Sequence, residues 1–261
     1  MYNHRHKAGN RGDVWKHFWL CELLSLLTHD NHQQVSVLDT HCGAGHFFLS
    51  ESDDWDNGIG QFANELPLLC TLGELVGPYL AASQYLGSWL LIASLLKDRS
   101  IPFQLHACDI SDEVAASFDR TAQQFGHAGR CWHSPFDGYK CATAGNPLDL
   151  VLLDPPYYPN ADKDWTSLRR TVRAISSSCT TIAVWYPIYW PTKPQELIDA
   201  TGMVSHELLW AEFGDKPSQN PKGCGFAFKT DAQCNVDPTV VAANTLAERL
   251  GGHYSCRQKS K

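Results

Sequence analysis

The sequence predicts an open α/β domain on a mostly parallel sheet, and three stretches predict it. Residues 150–153, Leu-Val-Leu-Leu, are apolar without alternation, which suits a strand covered on both faces. They run into Asp154-Pro155-Pro156-Tyr157, where the prolines end the strand because neither can donate to a ladder. Residues 35–39, Val-Ser-Val-Leu-Asp, form a strand that enters a turn holding Gly43 and Gly45, and residues 102–107 form another that ends at Asp109. Each strand thus delivers an aspartate to its carboxyl end, the edge where open α/β sheets bind ligands.

The remaining elements follow in chain order. Residues 2–17 gather Arg5, Lys7, Arg11 and Lys16 with His4, His6 and His17. Ala8-Gly9-Asn10 and Gly12 read as a turn, Asp13 as an N-cap, and Val14, Phe18, Cys21 and the leucines to 27 as a helix ending near residue 28. Lys16 and His17 fall on its first turn, beside amides that favour anions. The glycine turn 40–45 is expected to open a second helix, whose free amides and bare glycines let a ligand approach. Residues 51–98 interrupt the plain pattern. Their helical spacing (Leu66, Leu69, Cys70, Leu72, then Leu86, Leu90, Ala93, Leu96) predicts an inserted helical subdomain within a single domain of residues 1–261, walling one side of a cleft.

Ser111 caps a predicted helix to residue 125, and residues 130–133 form a short strand followed by Asp137-Gly138. A polar loop after Tyr157 leads to a helix ending near 177. Strand 180–185 then enters Trp185-Tyr186-Pro187, aromatics that suit either a pocket wall or the core. Residues 204–213 and 223–229 read as the last two strands, the second a hairpin partner. From residue 237 the chain offers a short helix and a basic end with no evident role.

Composition sets limits. The chain has 261 residues, 43% hydrophobic and 19% charged, enough for a sizeable core. No apolar run spans a bilayer and no apolar stretch follows the basic start, so neither membrane insertion nor a secretion signal is expected. Ten cysteines lie singly without a Cys-x-x-Cys pair, which predicts reduced thiols, a cytoplasmic location and no zinc or other metal. A net charge of −7 argues against a broad nucleic-acid surface and leaves a local basic patch at the amino terminus. A monomer is expected.

The chemistry of Asp154–Tyr157 suits one task. An exocyclic amine of a nucleobase must have both hydrogens held before its lone pair can turn to an electrophile. Asp154 and the Pro155 carbonyl are two such acceptors, and Tyr157 can stack on the base. The motif resembles that of the amino-methyltransferases that use S-adenosylmethionine on adenine or cytosine. The third glycine of a nicotinamide fingerprint is missing, since His46, Phe47 and Phe48 follow Gly45.

Taken together, Tyr2, His4, Ala8-Gly9-Asn10, Asp13-Val14, Lys16-His17, Leu38-Asp39-Thr40-His41-Cys42-Gly43-Ala44-Gly45, Gly87-Ser88, Asp137-Gly138, Asp154–Tyr157 and Trp185-Tyr186-Pro187 resemble one family. It is the bacterial methyltransferases that make N6-methyladenine in large-subunit ribosomal RNA. Trp89 departs from the pattern, standing where a proline follows Gly-Ser. The resemblance implies a Rossmann-like domain with a seven-stranded, mostly parallel sheet, a terminal antiparallel strand and the helical insertion. It implies S-adenosylmethionine as cofactor and ribosomal RNA as partner. Cofactor contacts would fall on His17, Asp39, His41, Gly43, Gly45, Ser88, Asp109, Asp137, Gly138 and Asp154. Substrate contacts would fall on Tyr2, His4, Asn10 and Lys16, and catalysis on Asp154, Pro155 and Tyr157. The rivals are a DNA adenine-N6 methyltransferase, a protein serving the use of external DNA, and a catalytically silent binding module.

Overall fold

The structure, a computed structural model, describes residues 4–29, 34–126, 129–143, 147–157, 161–214, 219–233 and 235–260. Five parallel strands form the body of the sheet: β1 (Val35–Asp39), β4 (Phe103–Cys108), β5 (Gly129–Ser134), β6 (Leu148–Leu153) and β7 (Cys179–Ile188). β9 (Gly223–Thr230) runs antiparallel between β7 and β8 (Val204–Leu209), and β10 (His253–Arg257) adds antiparallel to β8. The order is β5-β4-β1-β6-β7-β9-β8-β10. This is the expected Rossmann-like α/β class, with eight strands where seven were expected. The eighth comes from the carboxyl end. Arg257 donates through Nε and Nη2 to the fully buried Glu207, at 2.7 and 2.9 Å, and so fastens β10 to β8. Tyr186 donates its hydroxyl to the same carboxylate at 3.0 Å.

From β1 the chain crosses to β4 and β5 on one side and to β6 and β7 on the other. The switch point therefore lies between β1 and β6. Asp39 pairs in register with Leu152, so Asp154 stands two residues past the end of that pairing. The fully buried run 150–153 explains the lack of alternation.

Helix α1 (Arg11–Thr28) is buried along most of its length, with Val14, Trp15, Phe18 and Trp19 at most 1% exposed. It packs on β9 and β7 and against α2 (Thr71–Leu80) and α3 (Ser88–Asp98), and burial of each large ring contributes about 2 kcal/mol. Trp15 donates Nε1 to the backbone oxygen of His206 at 2.9 Å, which satisfies the one polar atom of that ring. The cap differs from expectation. Asn10, not Asp13, is the N-cap; its side chain accepts from Asp13 N at 3.0 Å. The Asp13 carboxylate is turned away, to Gly9 N and Lys16.

The glycine turn also departs from expectation. It opens a strand, β2 (His46–Phe48), which pairs with β3 (Gln84–Leu86) in a small separate sheet. The aromatic pair Phe47-Phe48 suits a pleated surface better than a helix start. The crossover helix is α3, which begins after Gly87; Gly87 donates to Gly45 O at 2.6 Å, so the two glycine segments touch. Residues 49–87 hold short 3-10 turns, α2 and β3 between these two points. Helix α4 (Asp112–Ala122) starts after Ser111, between β4 and β5. Among the described residues no helix is long and apolar enough to cross a membrane.

Candidate active site at the switch point of the sheet

Four parallel strands end at or beside an aspartate. Asp39 closes β1, Asp109 follows β4, Asp137 follows β5 and Asp154 follows β6. His41 is the meeting point. Burial lowers its pKa, and the fields of Asp154, Asp109 and Asp137 oppose that shift together. Its ring meets Tyr139 edge-on at 5.2 Å, and Nδ1 lies 2.8 Å from Thr40 Oγ1.

Asp39 is fully buried. Ser88 donates Oγ to Asp39 Oδ2 at 2.5 Å, and His41 N approaches Oδ1 at 3.4 Å. Burial pushes the carboxyl up to about 7, against the Ser88 hydrogen bond and with the field of Asp154. Asp109 accepts from Gly43 N at 3.2 Å and Ser111 N at 2.9 Å. Asp137 caps the short helix α5 (Gly138–Ala142), accepting from Tyr139 N at 3.0 Å. Gly138 is required because a Cβ there would lie 1.9 Å from Thr40 O. The turn itself needs glycine twice: Gly43 and Gly45 have φ of +60° and +81°, and a Cβ on Gly45 would lie 2.3 Å from Trp89 Nε1. The fully buried indole of Trp89 thus forms the floor of the turn.

The amino-terminal turn is fastened to residues 52–59. Gly9 O accepts from Ile59 N at 2.8 Å, Ala8 O from Ser52 Oγ at 2.8 Å and His6 O from Asp53 N at 3.0 Å. Lys7 pairs with Asp54 at 2.6 Å. A Cβ on Gly58 would lie 2.0 Å from Gly9 O, so the two segments can approach only through glycine.

Lys16 is not at a solvent-facing helix end that would attract anions. It is buried, and its ammonium lies 2.8 Å from Asp154 Oδ2, 3.0 Å from Asp13 Oδ1 and 5.5 Å from the centre of the Trp185 ring. Burial alone would lower its pKa; Asp154 and then Asp13 reverse that and hold the ammonium charged well above its ordinary range. His17 is also buried, with Nδ1 2.9 Å from the Tyr85 hydroxyl.

Asp154 is not sealed in hydrocarbon, since its side chain is 12% exposed. Pro155 is buried and Pro156 exposed. Tyr157 adopts φ +55°, a left-handed backbone that few aromatic residues take. Its ring is buried beside Trp165 and Trp185, and its hydroxyl donates to Trp185 O at 2.7 Å. Tyr2 lies outside the described residues, and His4 begins a short 3-10 turn.

Sequence reasoning missed the carboxylate role of Asp13, because it was spent on the cap. It also missed Ile110 and Phe136, exposed directly after Asp109 and before Asp137; an exposed apolar residue next to a strand-end aspartate is the signal that could have found them. Two cavities lie elsewhere. One of about 390 Å³ is lined by Thr166, Arg169, Arg170, Arg173 and Ala200, and one of about 160 Å³ by residues that include Leu24, Asp149 and Thr180.

The donor set fits a cationic ligand carrying hydroxyls and an amine. Asp39 and Asp109 accept from the backbone of a turn that two left-handed glycines keep bare, and the fields of Asp137 and Asp154 reach His41 within it.

No protein-family model matches the chain. Two curated proteins named Ribosomal RNA large subunit methyltransferase J do. The one from Haemophilus influenzae is 26% identical over 248 residues, spanning 85% of this chain and 83% of the relative. The one from Escherichia coli is 24% identical over 241 residues, spanning 85% and 82%. Among solved structures, protein LPL1258 from Legionella pneumophila shares the fold at a TM-score of 0.80 and 21% identity, over 97% of this chain and 99% of that one. Along most of its length, then, the chain is similar to the proteins called ribosomal RNA large subunit methyltransferase J, the resemblance that its motifs led us to expect.

Proposed function

We propose that the protein transfers a methyl group from S-adenosylmethionine to the N6 amino group of an adenine in large-subunit ribosomal RNA. The observation that carries this reading is the Asp154 carboxylate, held at the switch point within 2.8 Å of a primary ammonium. A carboxylate that already accepts from one nitrogen, at the ligand edge of the sheet, is the acceptor an exocyclic amine needs. The names of the two curated relatives supply the ribosomal RNA.

The cofactor would supply a methyl on a cationic sulfur. Asp39, Gly43, Gly45, Ser88, Asp109, Asp137 and Gly138 would hold it, with His17 and His41 behind them and the exposed Ile110 and Phe136 packing on its flat part. Asp109 already grips Gly43 N, so a bound hydroxyl would share that carboxylate with the turn.

Asp154 would accept one N–H of the adenine amine and the Pro155 carbonyl the other, which frees the nitrogen lone pair from the ring. Lys16 occupies Asp154 Oδ2, so the amine would take the other oxygen or displace the ammonium toward Asp13, 3.0 Å away. Once the nitrogen is alkylated, Asp154 takes its proton or passes it to water. The adenine must leave its stack to reach this depth. Contact with Tyr157 requires the base to enter beside Trp185, where the Tyr157 ring is packed. Tyr2, His4, Asn10 and Lys16 would form the substrate side of the cleft.

Mass spectrometry of ribosomal RNA nucleosides, from cells with and without the protein, tests the reading. N6-methyladenine should fall by one residue per large subunit and return with the wild-type chain but not with Asp154→Ala. Matched DNA labelled as fast as RNA, or full rescue by Asp154→Ala, would overturn it.

A further inference from the structure

Cysteine spacing alone pointed away from a metal, yet the fold assembles a set of soft ligands beside the proposed cofactor edge. His106 and Cys108 are two residues apart on β4 and so share one face of the strand. Cys141 reaches them from α5, about a turn past Asp137. Among the described residues this is the one group of three or more such side chains close enough to share an ion: the imidazole nitrogen and both sulfurs all lie within 4.8 Å of one another.

The spacing can be compared with a metal centre. Bonds of about 2.3 Å to sulfur and 2.1 Å to nitrogen, at tetrahedral angles, require an N···S edge of about 3.6 Å and an S···S edge of about 3.8 Å. His106 Nε2 lies 3.7 Å from Cys108 Sγ, already at that edge. The His106 ring is held in place by stacking on Trp132 at 5.2 Å and 19°. Ser134, paired with Cys108 across the ladder, places Oγ 2.8 Å from the same nitrogen, close enough to shift into the fourth position or to hold a water there. Cys108 is fully buried, while His106 and Cys141 are half-buried, which leaves an entry path.

We propose that His106, Cys108 and Cys141 bind one zinc-class divalent ion with the fourth position filled by Ser134 or water. Two thiol protons leave to solvent as the two metal–sulfur bonds form, and the imidazole binds through the lone pair of its neutral ring. No electron is transferred. The ion ties the end of β4, next to Asp109, to the helix that Asp137 caps, so it stiffens that edge whether or not the methyl-transfer reading holds.

Cobalt(II) is the probe. The full chain, without an affinity tag, is reduced with a phosphine, stripped with chelator, desalted and titrated with Co²⁺. The expected result is thiolate-to-cobalt charge-transfer absorption with intense tetrahedral d–d bands, saturating at one ion per chain and bleached by one equivalent of Zn²⁺. Cys141→Ser and His106→Gln carry the test because both positions are half-buried, and circular dichroism confirms that they fold. Each should weaken binding at least tenfold, whereas Cys131→Ser, on the neighbouring strand, should not. A stripped chain without these bands overturns the proposal. So do bands that survive in both variants, or loss of the Cys108 and Cys141 thiols to a disulfide in place of metal uptake.

Discussion

Replacing Asp39 with asparagine tests the electrostatics of the switch point most directly. The carboxyl is fully buried, and burial raises it from an ordinary 3.8 to about 7. In the unfolded chain the group ionises near the lower value, so between the two the folded state holds the extra proton. The stability linked to Asp39 is therefore present at acid pH and lost as pH rises through that window, with a plateau above it. Three decades of proton affinity at about 1.4 kcal/mol each set an upper limit of about 4 kcal/mol. The amide that replaces the carboxyl cannot ionise, and its oxygen still accepts from Ser88. Urea unfolding at pH 4, 6 and 8 should show Asp39→Asn gaining on the wild type by about 2–4 kcal/mol across the series. A gap constant to within ~0.5 kcal/mol would refute the reasoning. A cationic ligand beside Asp39 should also drive off its proton. Near neutral pH that is a fraction of a proton per chain, read by calorimetry in buffers of different ionisation enthalpy and absent in the variant.

Three further outcomes follow from single contacts. Lys16→Met leaves Asp13 and Asp154 buried without their cation and should cost about 3–5 kcal/mol in equilibrium unfolding, with Asp13→Asn added to it restoring part. Burial lowers His206 to about 4, so the neutral ring stabilises the fold above pH 6.5 and that stability is lost as pH falls toward 4; His206→Phe, which keeps the stack on Trp19 at 4.0 Å, should flatten that acid limb by about 3 kcal/mol. Gly45→Ala forces a side chain into φ +81° and onto Trp89, and thermal unfolding should show a loss of about 2 kcal/mol or more, relieved only in part by Trp89→Leu.

What could be read from the sequence was local in its causes. The run 150–153 and the prolines after it define a buried strand and its end through backbone rules alone, and Asp39, Asp109 and Asp137 follow from the same reasoning at neighbouring strands. The glycine turn misled because a helix was expected where the chain first left β1. Phe47 and Phe48 instead pair as a strand, and the helix waits until Gly87 returns to Gly45. Contacts between distant residues were out of reach. Lys16 and Asp154 are 138 positions apart, and Lys16 read as a cation at an anion-favouring helix start because nothing near it in sequence says that a carboxylate will arrive from β6. The residues 253–257 carried no strong strand signal; their place is fixed by Arg257 finding the buried Glu207.

The same distant contacts bear on what the site can accept. Around the end of β6 one buried ammonium, Lys16, faces three carboxyl groups, Asp13, Asp39 and Asp154, each with little access to water. Lys16 touches two of them, and burial, more than the neighbouring field of Asp154, pushes the third up to about 7. Fully ionised, the three carboxyl groups would outnumber the one ammonium by two charges, and the proton on Asp39 offsets part of that excess. A neutral or anionic ligand would leave that proton in place, whereas a cation at Asp39 would substitute for it without disturbing Lys16. The amine of an incoming base adds no charge and needs only an acceptor, which Asp154 can offer while Lys16 leans on Asp13. Under the proposed function, a cationic methyl donor at Asp39 and a neutral nucleobase amine at Asp154 would make compatible demands on this arrangement of charge.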